Sequence, residues 1–368
     1  MKRLATLVLL VFSLYGCQRS APAPKEAAQT AGKVQIGVMT IQTGPAADYG
    51  TYTTNGLNLA LKELPNPSVT LIYKDTKADP QEAMRVFKEL AAASVPLVIG
   101  PFTSSESRQV GPEAQRAGVV MITPSATADE LSNIGDHMFM MLPPNRNQGR
   151  DQARYAADKL GAKRAAILYA LIPYGQTMRE SFSAAFQAAG GEIVADEGYP
   201  EGTEDFRDLL RKIAPTKPDV VFIPVQDSQG GRIVRQAREI NFPKAHFLGG
   251  DGAMSDTMIS LGGEAAEGFV VSNIASADPA FDKLYRDTYG SDPSPYAASA
   301  YDTLKLVNQL AAAGARSAAD FQAGLVALKG YQGASGLTKF TKVDKSYWCL
   351  DKEYSQFVVR GGQFVLVK

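Results

Sequence analysis

Hydroxyl side chains follow directly after two of the most apolar segments of this sequence. The segment "VPLVIG" at 95–100 is followed by "PFTSSES", and "VVMIT" at 119–123 is followed by "PSATADE". Each polar stretch places a Thr three residues before a Glu, which is the spacing of a capping box and predicts the start of a helix. Free N–H groups and the dipole at a helix N-terminus favour the binding of an anion. The hydroxyl groups that could hold this anion, with the amides beside them, belong to Thr103, Ser104, Ser105 and Ser107 in the first stretch and to Ser125 and Thr127 in the second.

The elements around these stretches alternate between apolar runs and amphipathic segments. Segments 79–90 and 174–189 place apolar residues on one helical face and carry helix start and stop signals. The runs are apolar throughout, which is typical of strands covered on both faces of a parallel sheet. The alternation predicts an α/β fold of two lobes, each a doubly wound, mostly parallel sheet flanked by helices. The nine runs are 34–40, 69–73, 95–100, 119–123, 137–142, 165–170, 219–225, 246–250 and 268–273.

The carboxyl ends of parallel strands share one edge of a sheet, and ligands usually bind at that edge. Because the two hydroxyl-rich stretches follow neighbouring strands, we expect both helix starts there, with Ser104 and Thr127 facing one cleft. Simple helix capping without a ligand is the alternative for either stretch alone.

Length, charge and motif content narrow the class of protein. The chain has 368 residues, enough for two domains, and its 38 basic and 38 acidic residues give no indication of nucleic acid binding. Its two histidines, His137 and His246, both fall in apolar runs. The sequence contains none of the HExxH, GxSxG, P-loop or CxxC motifs. We therefore expect neither an enzyme nor a metal or other cofactor.

The N-terminal segment indicates export and lipid anchoring. Two basic residues precede the apolar stretch 4–14, which is too short to span a bilayer. The following "SLYGC" resembles the lipobox of bacterial lipoproteins, in which the chain is cut before the Cys and the Cys is acylated. This predicts a signal peptide at 1–16, a lipid on Cys17 and a flexible linker at 17–32. We expect an anchored protein of the periplasm or cell surface, with a plain secretory peptide as the alternative.

Four longer motifs lie between residues 36 and 131: "IGVMTIQTGPAADYGTYTTNGLNLALKEL", "DTKADPQEA", "VIGPFTSSES" and "MITPSATADEL". In combination they resemble the leucine/isoleucine/valine-binding protein family, the extracytoplasmic substrate-binding proteins of branched-chain amino acid ABC transporters. The resemblance runs from about residue 33 to the C-terminus. It implies a type I periplasmic binding fold, in which two lobes close on a small solute by hinge motion.

The same resemblance implies how the chain is divided between the lobes. Lobe 1 would comprise 33–143 plus 276–345, and lobe 2 would comprise 144–275 plus 346–368. The three crossings between the lobes would lie near 142–146, 272–277 and 343–350.

The resemblance also assigns roles to single residues. Ser104 and Thr127 would bind the α-carboxylate of the ligand, and Ser125 and Thr103 would contribute backbone groups. The remaining residues come from both lobes: Tyr49 as a wall, Tyr174 closing over the ligand, Asp251 taking its ammonium, and Tyr296 near its side chain. For Asp251 a turn role in a Gly-rich loop is the alternative, and for Tyr296 ordinary helix packing.

One position departs from the family pattern. After "DVVFIP", branched-chain-binding members carry an aromatic residue facing the ligand, whereas this sequence continues with Val225 and Gln226. A polar Gln226 could accept a hydrogen-bonding side chain or a second cationic group. Asp227, which follows, could face the ligand or cap the next helix.

These observations predict a lipid-anchored substrate-binding protein of an ABC importer, acting as a monomer. Its partners would be a small solute, expected to be an amino acid, and a permease in the membrane. Two alternatives remain open. The same fold could bind a carboxylate or amide that is not an amino acid, or serve as a sensor or activator lipoprotein that is not coupled to transport.

Overall fold

The computed structural model describes residues 32–44, 46–226 and 229–367. The predicted signal peptide, Cys17 and nearly all of the linker lie outside these residues, as does Asp227. Among the described helices, none combines the length and the apolar character needed to cross a membrane.

The strands form two seven-stranded sheets and one small hairpin. In chain order they are β1 (Val34–Thr40), β2 (Val69–Asp75), β3 (Leu97–Ile99), β4 (Val120–Thr123), β5 (Met138–Met140), β6 (Arg164–Ala170), β7 (Glu192–Tyr199), β8 (Val220–Phe222), β9 (His246–Gly249), β10 (Val270–Ile274), β11 (Tyr331–Gly333), β12 (Gly336–Thr338), β13 (Phe340–Val343), β14 (Ser346–Cys349), β15 (Tyr354–Arg360) and β16 (Gln363–Leu366).

Helices cover the sheets and connect most of the parallel strands. They are α1 (Ala47–Glu63), α2 (Pro80–Ala92), α3 (Ser104–Ala117), α4 (Asn145–Arg154), α5 (Pro173–Ala188), α6 (Arg207–Ile213), α7 (Gln229–Glu239), α8 (Asp256–Gly262), α9 (Pro279–Tyr289), α10 (Pro295–Ala312) and α11 (Ala318–Val326).

The first sheet has the strand order β13-β14-β5-β4-β3-β1-β2, and the second has the order β16-β15-β10-β9-β8-β6-β7. All pairs among β1–β5 and among β6–β10 are parallel, as are β14 and β5, whereas β13, β15 and β16 pair antiparallel. The predicted architecture of two doubly wound sheets is confirmed, and each of the nine apolar runs overlaps one strand.

Burial on both faces explains why those runs lack alternation. Val38 and Met39 are neighbours on β1, so their side chains point to opposite faces of the sheet, and both are fully buried. Val38 belongs to one apolar core and Met39 to another, so the first sheet has a core on each side. Burying one such side chain contributes about 1.5–3 kcal/mol.

The predicted lobe boundary at 345/346 is wrong. Strand β14 pairs with β13 and β5 and therefore belongs to the first sheet, not with the residues that follow it. Its Trp348 is fully buried in the core of that sheet, where Nε1 donates to Ser132 Oγ at 3.1 Å. The chain passes between the sheets after β5, after β10 and finally after β14, at 350–353.

Candidate functional site

Eleven residues enclose a cavity of about 20 Å³ between the two sheets. This volume is room for about one water molecule. All lie in segments that follow the carboxyl ends of parallel strands or in α1 and α10. All nine residues predicted from the sequence line it, and Phe102 and Gly252 complete the wall. The nine are Tyr49, Thr103, Ser104, Ser125, Thr127, Tyr174, Gln226, Asp251 and Tyr296.

Helix α3 begins at the first hydroxyl stretch, as predicted. Thr103 is its N-cap, and the Thr103 hydroxyl accepts the Glu106 N–H at 3.2 Å. The Thr103 hydroxyl and N–H both donate to Glu106 Oε2, at 2.6 and 3.2 Å, which completes the capping box. Burial raises the pKa of the Glu106 carboxyl. Both donors of Thr103 are therefore used within the helix end. The hydroxyl that α3 can offer to the cavity is that of the next residue, Ser104.

Ser104 joins the two hydroxyl-rich loops. Its Oγ accepts the N–H groups of Thr127 and Ala128, each at 3.2 Å. A hydroxyl that accepts two hydrogen bonds retains its own hydrogen for a third partner. Ser125 makes a second link, because its Oγ donates to the Phe102 carbonyl at 2.7 Å. The two loops thus form one polar surface on the first-sheet side of the cavity.

The predicted second capping box is wrong. Residues Asp129–Asn133 form a short 3₁₀ turn whose N-cap is Ala128, and no side chain caps it. The physical reason is the bond to Ser104: because the Thr127 and Ala128 N–H groups point to its Oγ, this segment remains extended. Of the two predicted helix starts, only that of α3 could therefore offer a helix N-terminus to an anion, together with the hydroxyl and backbone groups of the second loop.

Asp251 forms the opposite side of the cavity. It is 1% exposed, and its Oδ1 accepts the Tyr174 hydroxyl at 2.8 Å. Burial raises the pKa of Asp251, whereas Tyr174, Tyr296, Gly252 and Gln148 lower it. A carboxylate held among neutral donors is costly to bury unless a cation pairs with it.

Three tyrosines close the cavity between the sheets. The Tyr49 hydroxyl donates to the Gly252 carbonyl across the cleft, and the Tyr49 and Tyr296 rings meet edge to face at 5.3 Å. The Gly252 N–H donates to the Tyr174 hydroxyl at 3.2 Å. Burial raises the pKa of Tyr174 and of Tyr296 well above the usual value, so both phenols are neutral donors at physiological pH.

Sequence reasoning missed Gln148, a buried residue whose side chain lowers the pKa of Asp251. Gln148 lies on α4, is fully buried, and donates from Nε2 to the Ser272 carbonyl on β10 at 2.8 Å. Asn145 and Gln152 are buried on the same helix. Three polar residues at this spacing normally indicate a solvent-exposed face, so no local signal could have identified them.

Comparisons with known proteins agree with this architecture. Residues 33–348 match the family described as "Periplasmic binding protein". The "Leu/Ile/Val-binding protein homolog 2" of Brucella abortus is 30% identical over 300 residues, covering 76% of this chain and 79% of the relative.

Two solved structures share the fold. The branched-chain amino acid transporter substrate-binding protein LivJ of Streptococcus pneumoniae, in complex with isoleucine, is 28% identical with a TM-score of 0.82, covering 91% of this chain and 100% of that one. A solute-binding protein of an ABC transporter from R. palustris, in complex with benzoate, is 21% identical with a TM-score of 0.81, over 91% of this chain and 96% of the other. At that identity the second likeness concerns the fold alone.

Proposed function

Because this chain belongs to the periplasmic binding protein family, within which it is related to the Leu/Ile/Val-binding proteins, we propose that it captures an amino acid for import by an ABC transporter. Membership makes it an extracytoplasmic solute-binding protein and not an enzyme. The chemistry of the cavity walls supports the ligand class, and the N-terminal sequence supports the lipid anchor.

The observation that carries the proposal is the opposed chemistry of the two cavity walls. Ser104 and Thr127 present hydroxyl and amide groups beside the N-terminus of α3, which suits a carboxylate. Across the cavity, Asp251 is a buried carboxyl held by neutral donors, which suits an ammonium. An α-amino acid carries both charges on one carbon, so one molecule would satisfy both walls.

The size of the cavity implies that the lobes separate for entry. A volume of about 20 Å³ is too small for any amino acid. We infer that lobe 1 (33–143 and 276–349) and lobe 2 (144–275 and 350 onward) rotate apart, breaking the Tyr49–Gly252 hydrogen bond across the cleft. A ligand that then contacts both lobes favours the closed form over the open one.

Gln226 is the basis for the side-chain preference we infer. It is half-buried and lines the cavity where the branched-chain-binding pattern has an aromatic residue. A polar or hydrogen-bonding ligand side chain would satisfy its amide, whereas a purely aliphatic one would leave that amide unpaired.

The placement in the cell is part of the proposal. We infer that Cys17 carries the lipid, that the linker allows the monomeric body to reach a permease, and that the closed form is what the permease recognises. A sensor would share the ligand and differ only in its partner. Co-purification with a permease from detergent-solubilised membranes, using Cys17→Ser as the unanchored control, separates these cases.

Calorimetry and thermal-shift assays with the twenty amino acids test the ligand class. The panel also includes the carboxylic acids that lack only the amino group. A ligand at a hundred times its dissociation constant should add about 2.7 kcal/mol to the free energy of unfolding. Asp251→Asn should weaken amino acid binding by about 10²–10³-fold, because a buried charge loses its partner.

Asp256→Asn is the matched control, since Asp256 is an exposed aspartate five residues away. It should bind amino acids nearly as tightly as the wild type. If the wild type binds the acids without an amino group as tightly as the amino acids, the ammonium role of Asp251 is refuted.

A further inference from the structure

We propose that Asp129 is a positioning residue. It links the anion-binding loop, residues 124–129, to α4, the first helix on the side of the second sheet. The proposal rests on the proposed function for the identity of this loop. The link itself consists of hydrogen bonds between the loop, which follows a strand of the first sheet, and α4, on the side of the second sheet.

Helix α4 begins without a cap of its own. Its N-cap is Pro144, and no side chain of that residue can accept a hydrogen bond. Two of the first N–H groups of α4 bond instead to the anion-binding loop: Asn145 N donates to the Thr127 carbonyl at 2.8 Å, and Arg146 N donates to Asp129 Oδ2 at 3.0 Å. The Arg146 guanidinium donates to Asp129 Oδ1 at 3.0 Å. A carboxylate on the first-sheet side thus caps a helix on the second-sheet side.

The same loop holds the cavity residues. The Thr127 N–H bonds to Ser104 Oγ while its carbonyl bonds to α4, so one peptide segment faces both the cavity and the helix. Helix α4 directly follows the first passage between the sheets, where the Tyr354 hydroxyl donates to the Pro143 carbonyl at 3.0 Å. Movement of α4 at this passage would therefore be transmitted to Thr127. Asp129 keeps α4 and the loop in a fixed relative position.

Three charged or titratable groups act electrostatically on Asp129: Arg146 on α4, Glu180 on α5 and Tyr354 at the start of β15. The adjacent Glu130 pairs with Arg108 on α3 at 3.4 Å.

Burial, with a smaller contribution from Glu180, raises the pKa of Asp129 to about 6 despite Arg146. The folded state therefore binds this proton more tightly than the unfolded state. The ionised carboxylate costs stability above pH 6, and that cost is relieved progressively as the pH falls from 6 toward the ordinary Asp value of 3.8. A group that costs stability at neutral pH and still makes these contacts is better explained by positioning.

The test compares the full chain with Asp129→Asn, using Glu130→Gln as the matched control. Hydrogen exchange needs no ligand: at pH 7.5, Asp129→Asn should exchange faster than the wild type over residues 124–130 and 145–148, with a thermal unfolding midpoint that is equal or higher. Glu130→Gln should match the wild type. Unchanged exchange in Asp129→Asn, or a lowered midpoint, would overturn the proposal.

Calorimetry with L-leucine and L-glutamine adds a functional readout. The dissociation constant of the wild type should rise about fivefold as the pH falls from 7.5 to 5, with a midpoint near 6. Asp129→Asn should show the weaker value already at pH 7.5 and lack this step, and Glu180→Gln should move the midpoint to lower pH. A step that persists in Asp129→Asn contradicts the role. If neither amino acid binds the wild type, the ligand found with the panel of twenty replaces them; if none of the twenty binds, the proposed ligand class fails, and the exchange data still decide the role of Asp129.

Discussion

Replacing Ser104 with alanine tests how the two loops of the cavity are held together. Ser104 Oγ accepts the N–H groups of Thr127 and Ala128, and these three residues are 2%, 1% and 0% exposed, respectively. Alanine would leave both N–H groups buried without this acceptor. The structure therefore predicts a loss of stability that is independent of any ligand.

The magnitude follows from the two lost hydrogen bonds. Leaving one buried donor unsatisfied costs about 1–3 kcal/mol. Both bonds are 3.2 Å long, at the outer limit for N–H···O bonds, so the lower part of this range applies to each. Ser104→Ala should thus lower the free energy of unfolding by about 2–3 kcal/mol.

Urea unfolding followed by circular dichroism measures this loss, and Ser105→Ala serves as the control. Ser105 lies in the same first turn of α3 and is half-buried, so this variant reports the effect of the same substitution on the helix alone. A difference below about 0.5 kcal/mol between the two variants would refute the inference that Ser104 joins the loops.

Two further substitutions test the packing behind the site. Gly56→Ala should destabilise the protein by several kcal/mol, since a Cβ there would lie 2.1 Å from the Ala297 carbonyl oxygen and push α1 from α10; an unchanged thermal midpoint would contradict this. Lys352→Met should cost about 3–5 kcal/mol in urea unfolding, because the buried Lys352 Nζ donates to Ser335 Oγ at 2.7 Å beside the Asp302 carboxyl. Adding Asp302→Asn should recover most of that loss, and a further loss would show that the two groups are not coupled.

Local patterns were sufficient for the central strands and the two hydroxyl-rich loops, whereas the other predicted residues of the cavity wall came from the family resemblance. Central parallel strands are covered on both faces, so their apolar runs are visible in the sequence. The nine predicted residues meet at one cavity because loops after parallel strands converge on one sheet edge. Strand β7 was missed because it lies at an edge of the second sheet and carries acidic residues such as Asp196 and Glu197, so it has no apolar run.

The sequence by itself thus determined the central strands, the family and nine residues of the cavity wall, since its apolar runs and its family motifs are each made of neighbouring residues. Only the tertiary structure decided that Thr127 bonds to Ser104 rather than capping a helix, that the buried Gln148 lowers the pKa of Asp251, and that Asp129 caps α4. These outcomes depend on partners 17 to 103 residues away in the chain. The free energy of a buried hydrogen bond depends on which distant group is brought to it, and no local spacing records that group.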